Sequence, residues 1–241
     1  MSRREPTLIR AIFNTVFFIV ATFVGSILSV AVWPFDRTGD RVLWLARVWS
    51  RVVTGFAGVR ITVEGGQDLA PDRPYVFMAN HASTVDIWAL FVAIPVKLRM
   101  IAKKQLGYIP LFGWAMRAGR FIFIDRQNPV AARRSMEEAS RRIRGGQSVV
   151  LFPEGTRSRD GSLGPFKKGG FFLAINAGAS IVPCAIKGTR EVMPRRSPLL
   201  RSGHVVVRIG TPIPTDGLVD GDRGALLVRV RDEIARMLDA K

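Results

Sequence analysis

One histidine of this chain stands in a pattern that suits acid–base chemistry. The stretch from Asn80 to Asp86 reads Asn-His-Ala-Ser-Thr-Val-Asp and follows Tyr75–Ala79, an apolar run that predicts a buried strand. An imidazole fixed at a strand end, with a carboxylate five residues on, is the minimum equipment for general-base chemistry. The chain contains two histidines, His81 and His204, so few side chains compete for this role.

Two further polar motifs also follow predicted strands. Asp125-Arg126 comes directly after Phe121–Ile124, and Pro153–Ser158 comes after the run that begins at Ser148. Ligands of open α/β sheets bind beyond the carboxyl ends of the strands. We therefore expect these motifs to converge with the histidine motif at one edge of a sheet.

Each motif also has an ordinary structural explanation. Ser83 and Asp86 have the spacing of a helix-capping box. Asp125-Arg126 suits a surface ion pair, and Gly155 suits a tight turn. Each ordinary explanation is plausible by itself, but a separate one has to be invoked for every motif.

The chain after Gly58 predicts the elements that hold these motifs. Short apolar runs alternate with helical patterns, which favours an α/β domain with a central, largely parallel sheet flanked by helices. The predicted strands are Val59–Val63, Tyr75–Ala79, Leu98–Ala102, Phe121–Ile124, Ser148–Phe152, Ile181–Ile186 and His204–Ile209. The predicted helices are Thr84–Ile94, Pro129–Arg144, Lys168–Ala177 and Arg223–Asp239.

The N-terminal segment differs from the rest in composition. No charged residue lies between Arg10 and Asp36, and this run of 25 residues exceeds the length of about 20 that a bilayer-crossing helix needs. Trp33 stands at its far end, where interfacial aromatic residues belong. We expect a membrane-embedded helix, with a cleaved signal peptide and a buried helix of a soluble protein as alternatives. The predicted domains are residues 1–56, membrane-associated and helical, and residues 57–241.

A second helix is predicted over Asp36–Phe56. One side of its helical wheel is basic, with Arg37, Arg41, Arg47 and Arg51, and the opposite side is apolar. Such a helix suits an anionic membrane interface, although an ordinary surface helix shows the same pattern. Together the two helices predict a hairpin with both basic flanks on the cytoplasmic side.

Composition restricts the class of protein. The net charge of +17 predicts a polyanionic partner: nucleic acid, an anionic membrane or a phosphorylated substrate. The hydrophobic content of 48% favours the membrane, and no nucleic-acid-binding motif is present. The single cysteine, Cys184, excludes a disulfide within the chain and, with two histidines, a zinc site of the Cys/His type.

Together these residues resemble the glycerophospholipid acyltransferase family, in particular its bacterial lysophosphatidate acyltransferases. The first family motif, Asn-His-x-Ser-x-x-Asp, is matched at Asn80, His81, Ser83 and Asp86. The third, Phe-Pro-Glu-Gly-Thr-Arg-Ser, is complete from Phe152 to Ser158. The second is similar to residues 104–126 and the fourth to residues 182–189, where Cys184 replaces a more usual aliphatic residue.

The resemblance implies transfer of a fatty acyl group from an acyl thioester to the free hydroxyl of lysophosphatidate, giving phosphatidate in phospholipid biosynthesis. His81 would be the general base, and Asp86 would hold its other ring nitrogen. The implied substrate-binding residues are Asn80, Ser83, Lys103, Lys104, Arg126, Glu154, Gly155, Thr156 and Arg157.

The roles implied within this set differ. Arg126 and Arg157 lead as phosphate ligands because a guanidinium binds phosphate through two parallel hydrogen bonds, with Lys103 or Lys104 behind them. Glu154 would orient a glycerol hydroxyl or an arginine, and Gly155 would let the backbone approach the ligand.

Substrate and partners are only partly determined. The donor is acyl-CoA or acyl carrier protein, since both present a thioester, and we expect no cofactor and no metal. Other lysolipids, such as a lyso-ornithine lipid, are alternative acceptors, and a non-catalytic lipid-binding protein is an alternative function. The expected partners are anionic membrane lipids, the lysophospholipid and the acyl donor, without nucleic acid. The expected location is the inner membrane, with the active site on its cytoplasmic face.

Overall fold

A seven-stranded sheet organises the structure, a computed structural model that describes residues 8–125 and 128–240. In space the strand order is β1-β7-β6-β2-β5-β3-β4, and neighbours are parallel except for the antiparallel pair β6 and β7. The predicted α/β class with a largely parallel sheet is therefore confirmed. The strands are β1 (Val59–Gly65), β2 (Val76–Ala79), β3 (Leu98–Lys103), β4 (Ile122–Ile124), β5 (Ser148–Leu151), β6 (Ile181–Lys187) and β7 (Gly203–Ile209).

Eight helices surround the sheet in the described part of the chain. The two longest predicted helices of the α/β region, Pro129–Arg144 and Arg223–Asp239, begin and end at the expected residues. The first of them begins where the Asn128 side chain accepts the N–H of Ala131 at 3.0 Å. Two short helices were not predicted, because four to seven residues carry too little apolar periodicity. The helices are α1 (Leu8–Val32), α2 (Asp40–Ala57), α3 (Val85–Ala93), α4 (Phe112–Ala118), α5 (Pro129–Arg144), α6 (Gly169–Ala177), α7 (Thr189–Val192) and α8 (Arg223–Asp239).

The central strands are apolar on both faces, which explains why they read as continuous apolar runs. In β2, Phe77 and Ala79 face one core, which α2 and α3 cover. Val76 and Met78 face a second core, which α5, α6 and α8 cover. Because successive side chains of a strand point to opposite faces, both cores hold the same strand in register. The carboxyl end of β2 is thereby fixed between β5 and β6.

The first two helices form a hairpin that packs on the α/β body, and the predicted pairing of these helices is present. The rings of Phe17 and Phe56 stack with centroids 3.7 Å apart. Asn14 is buried and donates from Nδ2 to the carbonyl oxygen of Leu200 at 3.2 Å. One side of α1 therefore lies on the protein, while its other side leaves large apolar side chains exposed.

One helix in the described residues is long and apolar enough to cross a membrane. By length and composition this is Leu8–Phe35, and 11% of its most apolar window is buried inside the protein. So little burial disagrees with the alternative that α1 is the core helix of a soluble protein. It agrees with an apolar surface that a lipid environment can cover.

The second helix differs from its predicted bounds and from its predicted basic face. It begins at Asp40 because Gly39 adopts a φ of +77°, so Arg37 precedes the helix. Arg47 is half-buried and donates from Nη2 to the carbonyl oxygen of Ile94 at 2.7 Å. The end of α3 leaves backbone carbonyls that need donors, and this arginine supplies one. Part of the basic face is therefore used in packing.

The division of the chain after residue 56 stays a prediction. Within the structure, Leu43 and Val53 of α2 belong to the same core as Phe77 of the sheet. Any experiment that separates the two predicted domains would therefore expose apolar surface on both.

Candidate active site

His81 and Asp86 meet at the carboxyl end of β2. His81 leaves the strand, Asp86 lies in the first turn of α3, and Nδ1 of the histidine is 2.7 Å from Oδ2 of the aspartate. The side chain of Asp86 is 0% exposed and that of His81 is 16% exposed. Five residues along a regular helix would place the two side chains on different faces. The loop between strand and helix instead turns both toward the same point.

The carboxylate of Asp86 is held by further donors. Its Oδ2 also accepts the backbone N–H groups of Ala82 and Ser83, each at 2.8 Å. Its Oδ1 accepts the hydroxyl of Thr189 at 2.5 Å. Four hydrogen bonds fix the orientation of the carboxylate, and the carboxylate in turn fixes the imidazole.

Thr189 was not among the predicted site residues. It begins α7 directly after β6, which is the neighbour of β2 in the sheet. The signal that points to it is its place at the end of the fourth sequence motif. Adjacency of β6 to β2 was needed to see that its hydroxyl reaches Asp86.

The loop that follows β5, residues 152–158, holds His81 through both its ring and its backbone. Its ring stacks on Phe152 with centroids 3.9 Å apart and planes 10° from parallel. Its backbone N–H donates to Oε1 of Glu154 at 2.7 Å, and its carbonyl oxygen accepts the N–H of Ser158 at 2.7 Å. Because Asp86 takes Nδ1, Nε2 is the ring nitrogen that can meet a substrate.

Glu154 connects the two loops of the site. It is 6% exposed, and its second carboxylate oxygen accepts the N–H of Gly164 at 2.9 Å. Burial raises the pKa of this carboxyl, and the two backbone donors oppose the rise. The contacts of Glu154 are thus to backbone N–H groups, whereas the sequence led us to expect a glycerol hydroxyl or an arginine. Gly155, next to it, adopts a φ of +74°, the geometry of the tight turn.

Asn80 and Ser83 are buried and hold the loop. The amide of Asn80 donates to the carbonyl of Ile186 at 2.9 Å and accepts its N–H at 2.7 Å. The hydroxyl of Ser83 donates to the carbonyl of Met193 at 2.7 Å. Both side chains therefore join the histidine loop to the β6 side of the sheet. Ser83 is also unsuited to act as a nucleophile, since its proton is directed away from His81.

The predicted cations lie at different places along this edge of the sheet. Arg157 is half-buried and donates from Nη1 to the hydroxyl of Thr84 at 3.1 Å, beside the start of α3. Lys103 and Lys104 are exposed at the end of β3, two strand places from β2, or about 10 Å. Hydrogen bonds with Tyr108 and Asp125 raise the pKa of Lys104. Thr156 is exposed, and Arg126 lies outside the described residues.

The parallel register explains why these motifs meet. β2 lies between β6 and β5, and β3 follows β5, so four strand ends form one continuous edge. That edge carries an oriented imidazole, a buried carboxylate and a rim of positive charge. Such a set can deprotonate a hydroxyl group on a molecule that also carries an anionic group.

Comparison with known proteins gives the family. The sequence profile described as Acyltransferase matches residues 60–187, more than half of the chain. The chain belongs to the acyltransferase family. The resemblance seen in the four sequence motifs is thereby confirmed, and members of this family use an acyl donor as a co-substrate.

Several curated relatives are identical to the chain at about a third of the aligned positions. A chloroplast 1-acyl-sn-glycerol-3-phosphate acyltransferase of Arabidopsis thaliana is 31% identical over 94% of this chain and 62% of its own length. The human alpha enzyme of that name is 35% identical over 72% of this chain and 62% of its own. The enzyme of Saccharomyces cerevisiae is 33% identical over 81% and 65%. The chain thus spans less than two thirds of these relatives.

The fold is also found in a solved structure. The 1-acyl-sn-glycerophosphate acyltransferase PlsC of Thermotoga maritima superposes with a TM-score of 0.80 at 24% identity, covering 97% of this chain and 98% of that one. This likeness supports the fold.

Among the described residues, no group of three or more His, Cys, Asp and Glu side chains is placed to hold a metal ion.

Proposed function

We propose that this chain is an O-acyltransferase that moves a fatty acyl group from an acyl thioester to the free hydroxyl of lysophosphatidate, giving phosphatidate. The observation that carries the proposal is the 2.7 Å contact between His81 and the fully buried Asp86, which leaves Nε2 to face a substrate. The relatives named 1-acyl-sn-glycerol-3-phosphate acyltransferase support the choice of acceptor.

The transfer proceeds in one addition and one elimination. The acceptor hydroxyl gives its proton to Nε2 of His81 as its oxygen forms a bond with the thioester carbonyl carbon. The buried carboxylate of Asp86 stabilises the imidazolium that results. The carbon–sulfur bond then breaks, and the proton passes from Nε2 to the leaving sulfur. The products are an ester and a thiol, so no protein nucleophile and no cofactor takes part.

The remaining site residues bind or position. Arg157 and, from the sequence, Arg126 are proposed ligands of the acceptor phosphate, with Lys103 and Lys104 at the rim. Glu154 is proposed as a positioning residue, because its contact with the backbone N–H of His81 sets where the imidazole lies. Four further residues are also proposed to belong to the substrate-binding site, where they shape this edge of the sheet: Asn80, Ser83, Gly155 and Thr156.

The membrane is the proposed location. Acceptor and product are both lipids, and the exposed apolar side of α1 offers a surface that a bilayer can cover. We propose the inner membrane, with the active site on the cytoplasmic face, residues 1–56 as the membrane unit and residues 57–241 as the catalytic unit. The net charge of +17 suits anionic lipids and an acidic or phosphorylated acyl donor.

The test compares two histidine variants in detergent micelles with long-chain acyl-CoA and lysophosphatidate. His81→Ala is expected to lower kcat by at least about 10²–10⁴-fold, the usual contribution of a general base. His204→Ala is the matched control, since His204 is exposed and contacts Thr62 on the sheet rather than the site. It is expected to keep the wild-type rate.

Other results change the proposal in defined ways. Equal rates for wild type and His81→Ala would remove the histidine from the mechanism. Activity with acyl carrier protein but not acyl-CoA would set the donor. Transfer to glycerol 3-phosphate or a lyso-ornithine lipid in preference to lysophosphatidate would set a different acceptor. Loss of activity in both histidine variants would indicate misfolding, which circular dichroism would show.

A further inference from the structure

A basic cavity lies at the β4 edge of the sheet, apart from the proposed active site. β4 is three strand places from β2, or about 14 Å, and the cavity has a volume of ≈ 640 Å³. We call it the edge cavity. Its charged and aromatic lining includes Trp33, Arg117, Arg120, Arg134, Arg142 and Glu138.

The lining has an excess of positive charge. Four arginines face one glutamate, and Glu138 accepts hydrogen bonds from Arg142 at 3.0 Å and from Arg141, outside the lining, at 2.6 Å. These bonds lower the pKa of Glu138, which stays ionised and shares its charge between two arginines. The cavity therefore keeps a net positive charge that suits a phosphate group.

Two arginines of the lining are fixed by backbone carbonyl groups. Arg117 donates to the carbonyl of Gly107 at 3.3 Å, and Arg120 donates to the carbonyl of Arg37 at 2.5 Å. Carbonyl oxygens orient a guanidinium without neutralising it, and a guanidinium has five N–H donors. These side chains are thus held in place with their charge retained.

The aromatic residues beside the cavity indicate where it sits. Trp33 follows the last residue of α1 and is 49% exposed, and Phe35 is 76% exposed. Trp114 of α4, a helix that packs on α1, is also 49% exposed. Tryptophan at the end of a long apolar helix is typical of the boundary between bilayer and water. With α1 embedded in a membrane as proposed above, the cavity, which Trp33 lines, lies at the level of the lipid headgroups.

We propose that the edge cavity binds the phosphate of an anionic membrane lipid and holds the β4 edge of the protein against the bilayer surface. The positive charge of the edge cavity favours an anionic ligand, and the location of the cavity beside Trp33 favours an anion that is part of a membrane lipid. The site is separate from the proposed acceptor site, and occupying it requires no acyl transfer. Its test is therefore independent of the proposed reaction.

Helix α5 offers a matched pair of double variants. Arg134→Gln with Arg142→Gln removes two arginines from the cavity. Arg133→Gln with Arg141→Gln removes two arginines at the same spacing from the same helix, outside the lining. Each double variant removes one of the two arginine partners of Glu138. The two variants have equal net charge, so bulk attraction to an anionic surface changes equally.

The assay measures binding of the full chain to phosphatidylcholine vesicles with and without phosphatidylglycerol. The cavity variant is expected to bind the anionic vesicles about 25-fold more weakly than wild type, at about fivefold for each arginine at an anionic surface. The control variant is expected to lose less than about fivefold, because its two arginines lie outside the lining and contribute only a longer-range attraction, which falls off within a Debye length. Neither variant is expected to change binding to vesicles of phosphatidylcholine alone. The two variants are expected to shift the thermal midpoint of unfolding by similar amounts.

Three results would overturn the proposal. Equal weakening in the two variants would mean general attraction without a site, and no weakening in either would mean that lipid does not use the cavity. Coenzyme A or inorganic phosphate that binds wild type in the absence of membrane, and binds the cavity variant much more weakly, would assign the cavity to a soluble anion.

Discussion

Replacing Asp86 by asparagine tests whether the charge of the buried carboxylate, rather than its hydrogen bonds alone, supports the reaction. Oδ2 of Asp86 accepts three donors: the imidazole Nδ1 and the N–H groups of Ala82 and Ser83. Oδ1 accepts only the hydroxyl of Thr189 among the described contacts. An asparagine has one oxygen and one NH₂ group, so its orientation decides which tautomer His81 adopts.

The surroundings favour one orientation. With the amide oxygen in place of Oδ2, all three donors keep an acceptor, and the hydroxyl of Thr189 turns to accept from the new NH₂ group. The opposite orientation sets an NH₂ group against three donors. Asp86→Asn is therefore expected to keep the proton of His81 on Nδ1 and to leave Nε2 able to act as the base.

The loss of rate then comes from charge. The imidazolium and carboxylate charges lie about 4 Å apart, and at an effective dielectric constant of about 20 their attraction is about 4 kcal/mol. At about 1.4 kcal/mol for each tenfold change, kcat is expected to fall about 10³-fold. A flipped amide would fix the wrong tautomer and cost about 10⁴-fold, as it does in serine proteases.

The assay combines initial rates of acyl transfer with ¹⁵N NMR of the imidazole, which reports the tautomer directly. Asp216→Asn, at an exposed loop position, controls for the loss of one negative charge. A rate within tenfold of wild type would refute the electrostatic role of Asp86. A proton on Nε2 would refute the argument about orientation. Asp86→Ala is expected to be destabilised, because each buried N–H without an acceptor costs about 1–3 kcal/mol.

Three further predictions concern neighbouring residues. Burial raises the pKa of Glu154 above its ordinary value of 4.5. The contribution of this carboxyl to stability is therefore complete below pH 4.5 and is lost as pH rises through the folded-state pKa. Denaturation of wild type and Glu154→Gln across this pH range should show a difference in stability that changes with pH, and a constant difference would contradict it. Gly155→Ala and Gly146→Ala both force alanine into positive φ, +74° and +92°, and each should lose about 1–2 kcal/mol in urea denaturation, but only Gly155→Ala should also slow acyl transfer. Complete burial raises the pKa of the Cys184 thiol, so maleimide should label it only in denaturant, and labelling of the native protein would contradict its burial.

The sequence predicted the strands well because buried parallel strands leave a local pattern. Both faces of β2 are covered, so residues 75–79 read as an unbroken apolar run, and the same holds for residues 149–152 in and after β5. The histidine motif could also be found locally, since His81 and Asp86 are five residues apart and share one loop. The start of α2 at Asp40 and the packing of Arg47 could not be found locally. The left-handed backbone of Gly39 sets the first, and the contact of Arg47 with the end of α3 decides the second.

The partners of His81 and Asp86 were decided by the tertiary structure. Thr189 lies 103 residues from Asp86, and Glu154 lies 73 residues from His81. Both reach the site only because β6 and β5 flank β2 in the sheet. That strand order results from how the whole set of helices and strands buries its apolar faces, and no local pattern records it. The sequence by itself therefore determined the family and the class of fold and pointed to His81 and Asp86 as the proposed catalytic pair, while the tertiary structure decided which distant side chains hold those two residues in position.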